Sequence, residues 1–166
     1  MKAVFLTGFM GSGKTTIGKV LGEETGLPVI DTDRAIEEKT GKSIPEIFEQ
    51  EGEESFREYE RNILGELPDS DVIVTTGGGM VVQQENRKMM KKSGTVIYLK
   101  CGLDEIRRRL EGDQTRPLLA DDNAGKLEEL FRQRKAFYEE ADITVVTEGR
   151  PAGEIVKEML SLIKPL

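Results

Sequence analysis

The stretch Gly8-Phe9-Met10-Gly11-Ser12-Gly13-Lys14-Thr15 fills every fixed position of the phosphate-binding pattern G-x-x-x-x-G-K-[ST]. This pattern works only between a strand and a helix. The apolar run Ala3 to Thr7 before it reads as a buried strand, and Thr16 to Gly26 after it reads as a helix. Glycines let the backbone curl without Cβ clashes, so successive N–H groups can face phosphate oxygens, and the helix opening at Gly13 adds its positive end. Lys14 supplies a mobile point charge for the β- and γ-phosphates, and the Thr15 hydroxyl is placed to ligate Mg²⁺. The plainer alternative is a glycine-rich turn capped by Thr15; four filled positions in the required context weigh against it.

Downstream, apolar strand-like runs alternate with helical patterns, which is the α/β signature. Pro28 to Asp31, Val72 to Thr75, Thr95 to Lys100 and Ile143 to Val146 join Ala3 to Thr7 as a predicted five-stranded parallel sheet covered on both faces. At 166 residues, a single domain spanning 1–166 is expected. About forty residues separate the second and third strands, more than one crossover helix needs. Residues 32–67 are therefore expected to form a helical substrate-binding segment, with pieces Asp33 to Lys39, Ile44 to Glu51 and Glu53 to Leu67. Ser43 is the expected N-cap, with Pro45 in the first turn behind it. The long polar loop at about 112–125 is a lid candidate, a connector being the alternative. Lys126 to Glu140 should turn Leu127, Leu130, Phe131 and Phe137 inward, and Ala152 to Ile163 should turn in Ile155, Val156, Met159, Leu160 and Ile163.

A net charge of −7 argues against a nucleic-acid partner. With one cysteine and no histidine, any general base must be a carboxylate or water, and Cys101 reads as a small packed residue. No apolar run suits a bilayer and no leader pattern is seen, so a cytoplasmic location is expected, outside any membrane. Nothing resembles a coiled-coil seam, and a monomer is expected.

Asp31 and Asp33 stand at the carboxyl end of the second strand, the edge where parallel sheets gather ligands. If the chain stays extended there, their side chains share a side and can serve a metal shell and an acceptor hydroxyl; the alternative is that Thr32 or Asp33 caps the next helix. Gly77, Gly78 and Gly79 follow the third strand, and three glycines together point to close approach of backbone to a ligand. Arg57 and Glu60 share a helix face, as do Arg134 and Tyr138; on spacing alone a weak surface ion pair is the better reading of the first. Arg116, ahead of Pro117-Leu118 in the polar loop, could swing onto a transferring phosphate.

Taken in order, the phosphate loop, Asp31-x-Asp33, Phe56-Arg57-x-x-Glu60, Gly77-Gly78-Gly79, Arg116-Pro117-Leu118 and Arg134-x-x-x-Tyr138 resemble the motif series of shikimate kinases over essentially the whole chain. The resemblance implies a three-layer P-loop NTPase fold like that of nucleoside monophosphate kinases, with a lid. It implies ATP-dependent phosphorylation of the shikimate 3-hydroxyl, on the route to chorismate and the aromatic amino acids. Gly11, Ser12, Gly13, Lys14, Thr15, Thr16, Arg109, Arg116, Arg150 and Pro151 would contact ATP; Asp33, Arg57, Gly78, Gly79 and Arg134 would contact shikimate. Thr15 and Asp31 would hold Mg²⁺, and Asp33, Lys14 and Arg116 would serve catalysis. Two rival readings stay open: another small-metabolite kinase, such as one acting on gluconate, and a nucleotide-dependent regulator without turnover. The N-K-x-D guanine pattern is not found.

Overall fold

The computed structural model describes residues 1–110 and 124–163. Strands β1 (Ala3–Thr7), β2 (Val29–Asp31), β3 (Ile73–Thr75), β4 (Gly94–Lys100) and β5 (Ile143–Val146) form one sheet in the order β2-β3-β1-β4-β5. Every pairing is parallel. The first strand lies in the middle and all five of its residues are buried. Its side chains alternate between two cores: Val4 and Leu6 join Ile17, Leu21, Ile155 and Met159, while Ala3 and Phe5 join Phe56, Ile63, Met90 and Ile106.

Those partners come from helices on opposite faces. Helices α1 (Lys14–Thr25) and α8 (Ala152–Leu162) cover one face. The other is covered by α4 (Glu53–Glu66), α5 (Gln84–Ser93), α6 (Leu103–Leu110) and α7 (Ala124–Tyr138), with α2 (Thr32–Thr40) and α3 (Ile44–Glu51) packed beyond. The layering is the expected α/β arrangement. On α1, a Cβ at Gly18 would come within 2.5 Å of Thr75 Cγ2, and one at Gly22 within 2.6 Å of Val29 Cγ2. The phosphate-loop helix thus lies closer to β2 and β3 than any larger residue would allow.

Local chemistry sets the helix ends. The Ser43 hydroxyl accepts the Glu46 N–H at 3.2 Å while Glu46 reaches back to the Ser43 N–H, with Pro45 in the first turn. Two expectations need correction. Leu160 is exposed on α8 rather than inward, so the buried stripe there is Ile155, Val156, Met159 and Ile163. Asp31 and Asp33 are not neighbours along an extended strand: β2 ends at Asp31, whose Oδ1 accepts the Arg34 N–H at 3.1 Å as the N-cap of α2, and Asp33 lies in the first turn. No helix among the described residues is long and apolar enough to cross a membrane.

Candidate active site

The phosphate loop joins β1 to α1. Gly8, Gly11 and Gly13 take φ values of 154°, 79° and 97°, and Gly13 is the N-cap of α1. A Cβ at Gly8 would meet Ser12 Oγ at 2.7 Å and the Leu99 carbonyl at 2.8 Å, so this position also needs glycine for space. Lys14 Nζ donates to the Gly8 carbonyl and, at 3.3 Å, to that of Phe9, folding back across its own loop.

This loop forms one wall of a cavity of about 600 Å³. Gly11 to Thr16, Asp31, Asp33, Gly78, Arg109 and Arg150 all line it. Arg109 reaches the loop directly, its Nη1 donating to the Gly11 carbonyl at 2.9 Å, and Arg150 Nη1 donates to the Val146 carbonyl at 2.8 Å. Pro151 is the N-cap of α8 and, like Arg57, Gly79 and Arg134, is not part of the lining. Arg116 and residues 112–123 of the expected lid lie outside the described residues.

The lining includes the Thr15 hydroxyl and the Asp31 carboxylate, whose Oδ1 caps α2. Among the described residues no cluster of three or more His, Cys, Asp or Glu could enclose a metal. A hydroxyl and a carboxylate facing a phosphate cradle suit Mg²⁺, which keeps several waters and shares its shell with phosphate oxygens.

The remaining candidates meet at the glycine turn. A Cβ at Gly77 would sit 2.6 Å from Asp33 Oδ1; one at Gly78 would sit 3.4 Å from Arg134 Nη1; one at Gly79 would sit 2.6 Å from Arg57 Nη2. Three successive glycines therefore seat three side chains, from α2, α7 and α4. None of the three is in the left-handed region, so space is what Gly77 and Gly79 require, while a Cβ at Gly78 would meet Arg134 only at ordinary contact distance. The sequence had pointed to a ligand approaching this backbone; the structure shows that the protein's own side chains already do so.

Arg57 is held from both sides, by Glu60 at 2.7 Å and Glu53 at 3.3 Å. Glu60 is fully enclosed, contrary to a surface ion pair, and its Oε2 has no hydrogen-bond partner among the described residues. Burial, opposed by Arg57, reinforced by Asp33 and opposed again by Arg134, leaves its carboxyl raised to about 7. Burial alone would lower the Arg57 guanidinium, but Glu60 and then Glu53 outweigh it and raise it. On α7, the Tyr138 hydroxyl donates to the Gly78 carbonyl at 2.5 Å.

A phosphate cradle with an adjoining nest of one carboxylate and two guanidiniums suits transfer of phosphate to a small anionic acceptor. Comparison with known proteins agrees: the family model for shikimate kinase matches residues 10–164. The chain belongs to the shikimate kinase family. A shikimate kinase of Bacillus cytotoxicus is 51% identical, the match covering 98% of this chain and 99% of that one. The shikimate kinase of Acinetobacter baumannii, solved in complex with shikimate, superposes with a TM-score of 0.92 at 39% identity, covering 98% of this chain and 92% of that one. A gluconokinase of Sinorhizobium meliloti superposes at 0.61 with 16% identity, covering 96% of this chain and 90% of that one, a likeness of fold alone.

Within this shikimate kinase family member, sequence reasoning missed how deeply Glu60 is buried and that Thr32 contributes at all. The Thr32 hydroxyl accepts the Gly77 N–H at 3.1 Å, joining α2 to the glycine turn. The signal for Glu60 was available: Phe56, Glu60, Ile63 and Leu64 recur at helical spacing, which places Glu60 on the buried stripe.

Proposed function

We infer that the chain transfers the γ-phosphoryl group of ATP to the 3-hydroxyl of shikimate, releasing ADP and shikimate 3-phosphate. The observation that carries this reading is the convergence of Asp33, Arg57 and Arg134 on Gly77–Gly79, beside the phosphate loop. Arg57 and Arg134 hold the acceptor's carboxylate, for which a planar guanidinium fork is the matched donor. Asp33 lines the cavity that the phosphate loop walls, and there it orients the hydroxyl and accepts its proton.

Phosphoryl transfer needs little covalent help, so alignment and charge neutralisation supply most of the rate. Loop amides from Gly11 to Thr16 grip the phosphates, and Lys14 leaves its loop carbonyls to follow the moving charge. Arg116, outside the described residues, is assigned to the same phosphate charge. Thr15 and Asp31 would hold Mg²⁺, which when bound would draw charge from the phosphate oxygens. Arg109, Arg150 and Pro151 flank the adenine.

The acidic charge balance supports small-molecule rather than nucleic-acid partners. One buried free cysteine fits a reducing, cytoplasmic setting. The test is ATP consumption by the purified protein against shikimate, gluconate and nucleoside monophosphates. Shikimate-dependent ADP release is expected; release with gluconate and none with shikimate would replace the acceptor, and nucleotide binding without turnover would replace the enzyme by a regulator.

A further inference from the structure

The glycine turn seats all three acceptor-side side chains; the Gly77 and Gly79 carbonyls accept the Met80 and Val82 N–H groups at 3.1 Å each and close it locally, while its ties to the flanking helices are made by side chains. Gly77, Gly78 and Gly79 are outside the left-handed region, and glycine has the freest backbone of any residue. Two side-chain hydrogen bonds pin it: Thr32 Oγ1 accepts the Gly77 N–H at 3.1 Å from the α2 side, and the Tyr138 hydroxyl donates to the Gly78 carbonyl at 2.5 Å from the α7 side.

We propose that Tyr138 is a positioning residue for substrate binding, its hydroxyl locking the glycine turn to the helix that carries Arg134. Arg134 stands one helical turn before Tyr138, so a single rigid element supplies both a grip on the acceptor and the pin for the backbone beside it. Because the peptide unit is planar, holding the Gly78 carbonyl also fixes the direction of the Gly79 N–H and, through Gly79, the seat of Arg57. The phenol is itself immobile. Tyr138 is 1% exposed and stacks on Tyr98 of β4, with ring centroids 5.2 Å apart and planes 14° from parallel. Burial pushes the phenol well above its ordinary range, against the pull of Arg134, so the hydroxyl keeps its proton and remains a donor.

This inference rests on the reading that Arg57 and Arg134 hold the acceptor's carboxylate, and the test separates the two. Tyr138→Phe keeps the ring and its stack and removes only the donor. It should raise KM and the calorimetric Kd for shikimate roughly five- to tenfold, the effect of about one hydrogen bond, with KM for ATP within about twofold of the parent. Thr32→Val, which removes the other pin, should shift the same constant in the same direction. A merely structural role would lower the melting temperature and move both substrates' constants together, and that result, or no change in either, overturns the proposal. Arg134→Ala distinguishes the failures: if it weakens shikimate binding while Tyr138→Phe does not, the pin falls and the carboxylate grip stands. If Arg134→Ala leaves shikimate binding unchanged, the grip falls and the pin falls with it.

Discussion

Arg57 Nη1 donates to Glu60 Oε1 at 2.7 Å, and Glu60 is fully enclosed while the arginine it orients keeps a partly exposed edge. Removing the carboxylate leaves a largely buried guanidinium with Glu53 as its remaining acid. Glu60→Ala should therefore cost roughly 3 kcal/mol of stability, the low end for breaking a buried pair. Urea unfolding measures this, and KM for shikimate should rise in the same variant because Arg57 loses its fixed direction.

The pH dependence of stability has a definite sign at this pair. An unfolded Glu60 releases its proton near 4.5 and the folded one near about 7, so between those values the native chain binds the extra proton. Rising pH then favours unfolding, by up to about 1.4 kcal/mol per pH unit from this group, and the contribution is flat above the folded value. Glu60→Gln lacks this titration. The difference in unfolding free energy between parent and variant should decline from pH 5 to pH 7, and a difference independent of pH would show that Glu60 does not hold its proton in the native state.

Gly79→Ala tests the seating of Arg57. The backbone there, at φ −93°, accepts alanine, but the new Cβ would press on the guanidinium. Displacing the arginine should raise KM for shikimate by roughly tenfold to a hundredfold and leave KM for ATP near the parent value. Steady-state kinetics with each substrate varied in turn gives the answer.

Lys14→Ala should lower kcat by roughly a hundredfold to a thousandfold, the scale for deleting one preorganised charge in a transition-state site. The fold should survive, since Lys14 lines the cavity and belongs to neither hydrophobic core. Circular dichroism with single-turnover phosphoryl transfer separates loss of chemistry from loss of structure.

The strands were readable because parallel strands buried on both faces carry near-continuous apolar runs, as Ala3 to Leu6 of β1 and Val96 to Leu99 of β4 do. Helix α5 was not placed: in Gln84–Ser93 only Asn86 and Met90 are buried, too sparse a stripe to stand out from charged neighbours. Ser43 and Pro45 gave the start of α3 through local chemistry. Asp31 misled because alternation holds only while the chain stays extended, and here the helix begins one residue later. Spacing could pair Arg57 with Glu60 but could not show that Asp33, Arg134 and the glycine turn would gather around them. That enclosure depends on contacts far apart in sequence, which also decide why Gly77 and Gly79 must be glycine.

The close seating of α1 at Gly18 and Gly22 joins the nucleotide cradle to the strands whose upper ends carry Asp31 and the run into Gly77. The distance between the phosphate cradle and the ends of β2 and β3 is consequently a dimension of the framework, set by helix backbone against the Thr75 and Val29 side chains. The span between the two walls of the cavity is thus written into the thickness of one helix against one sheet.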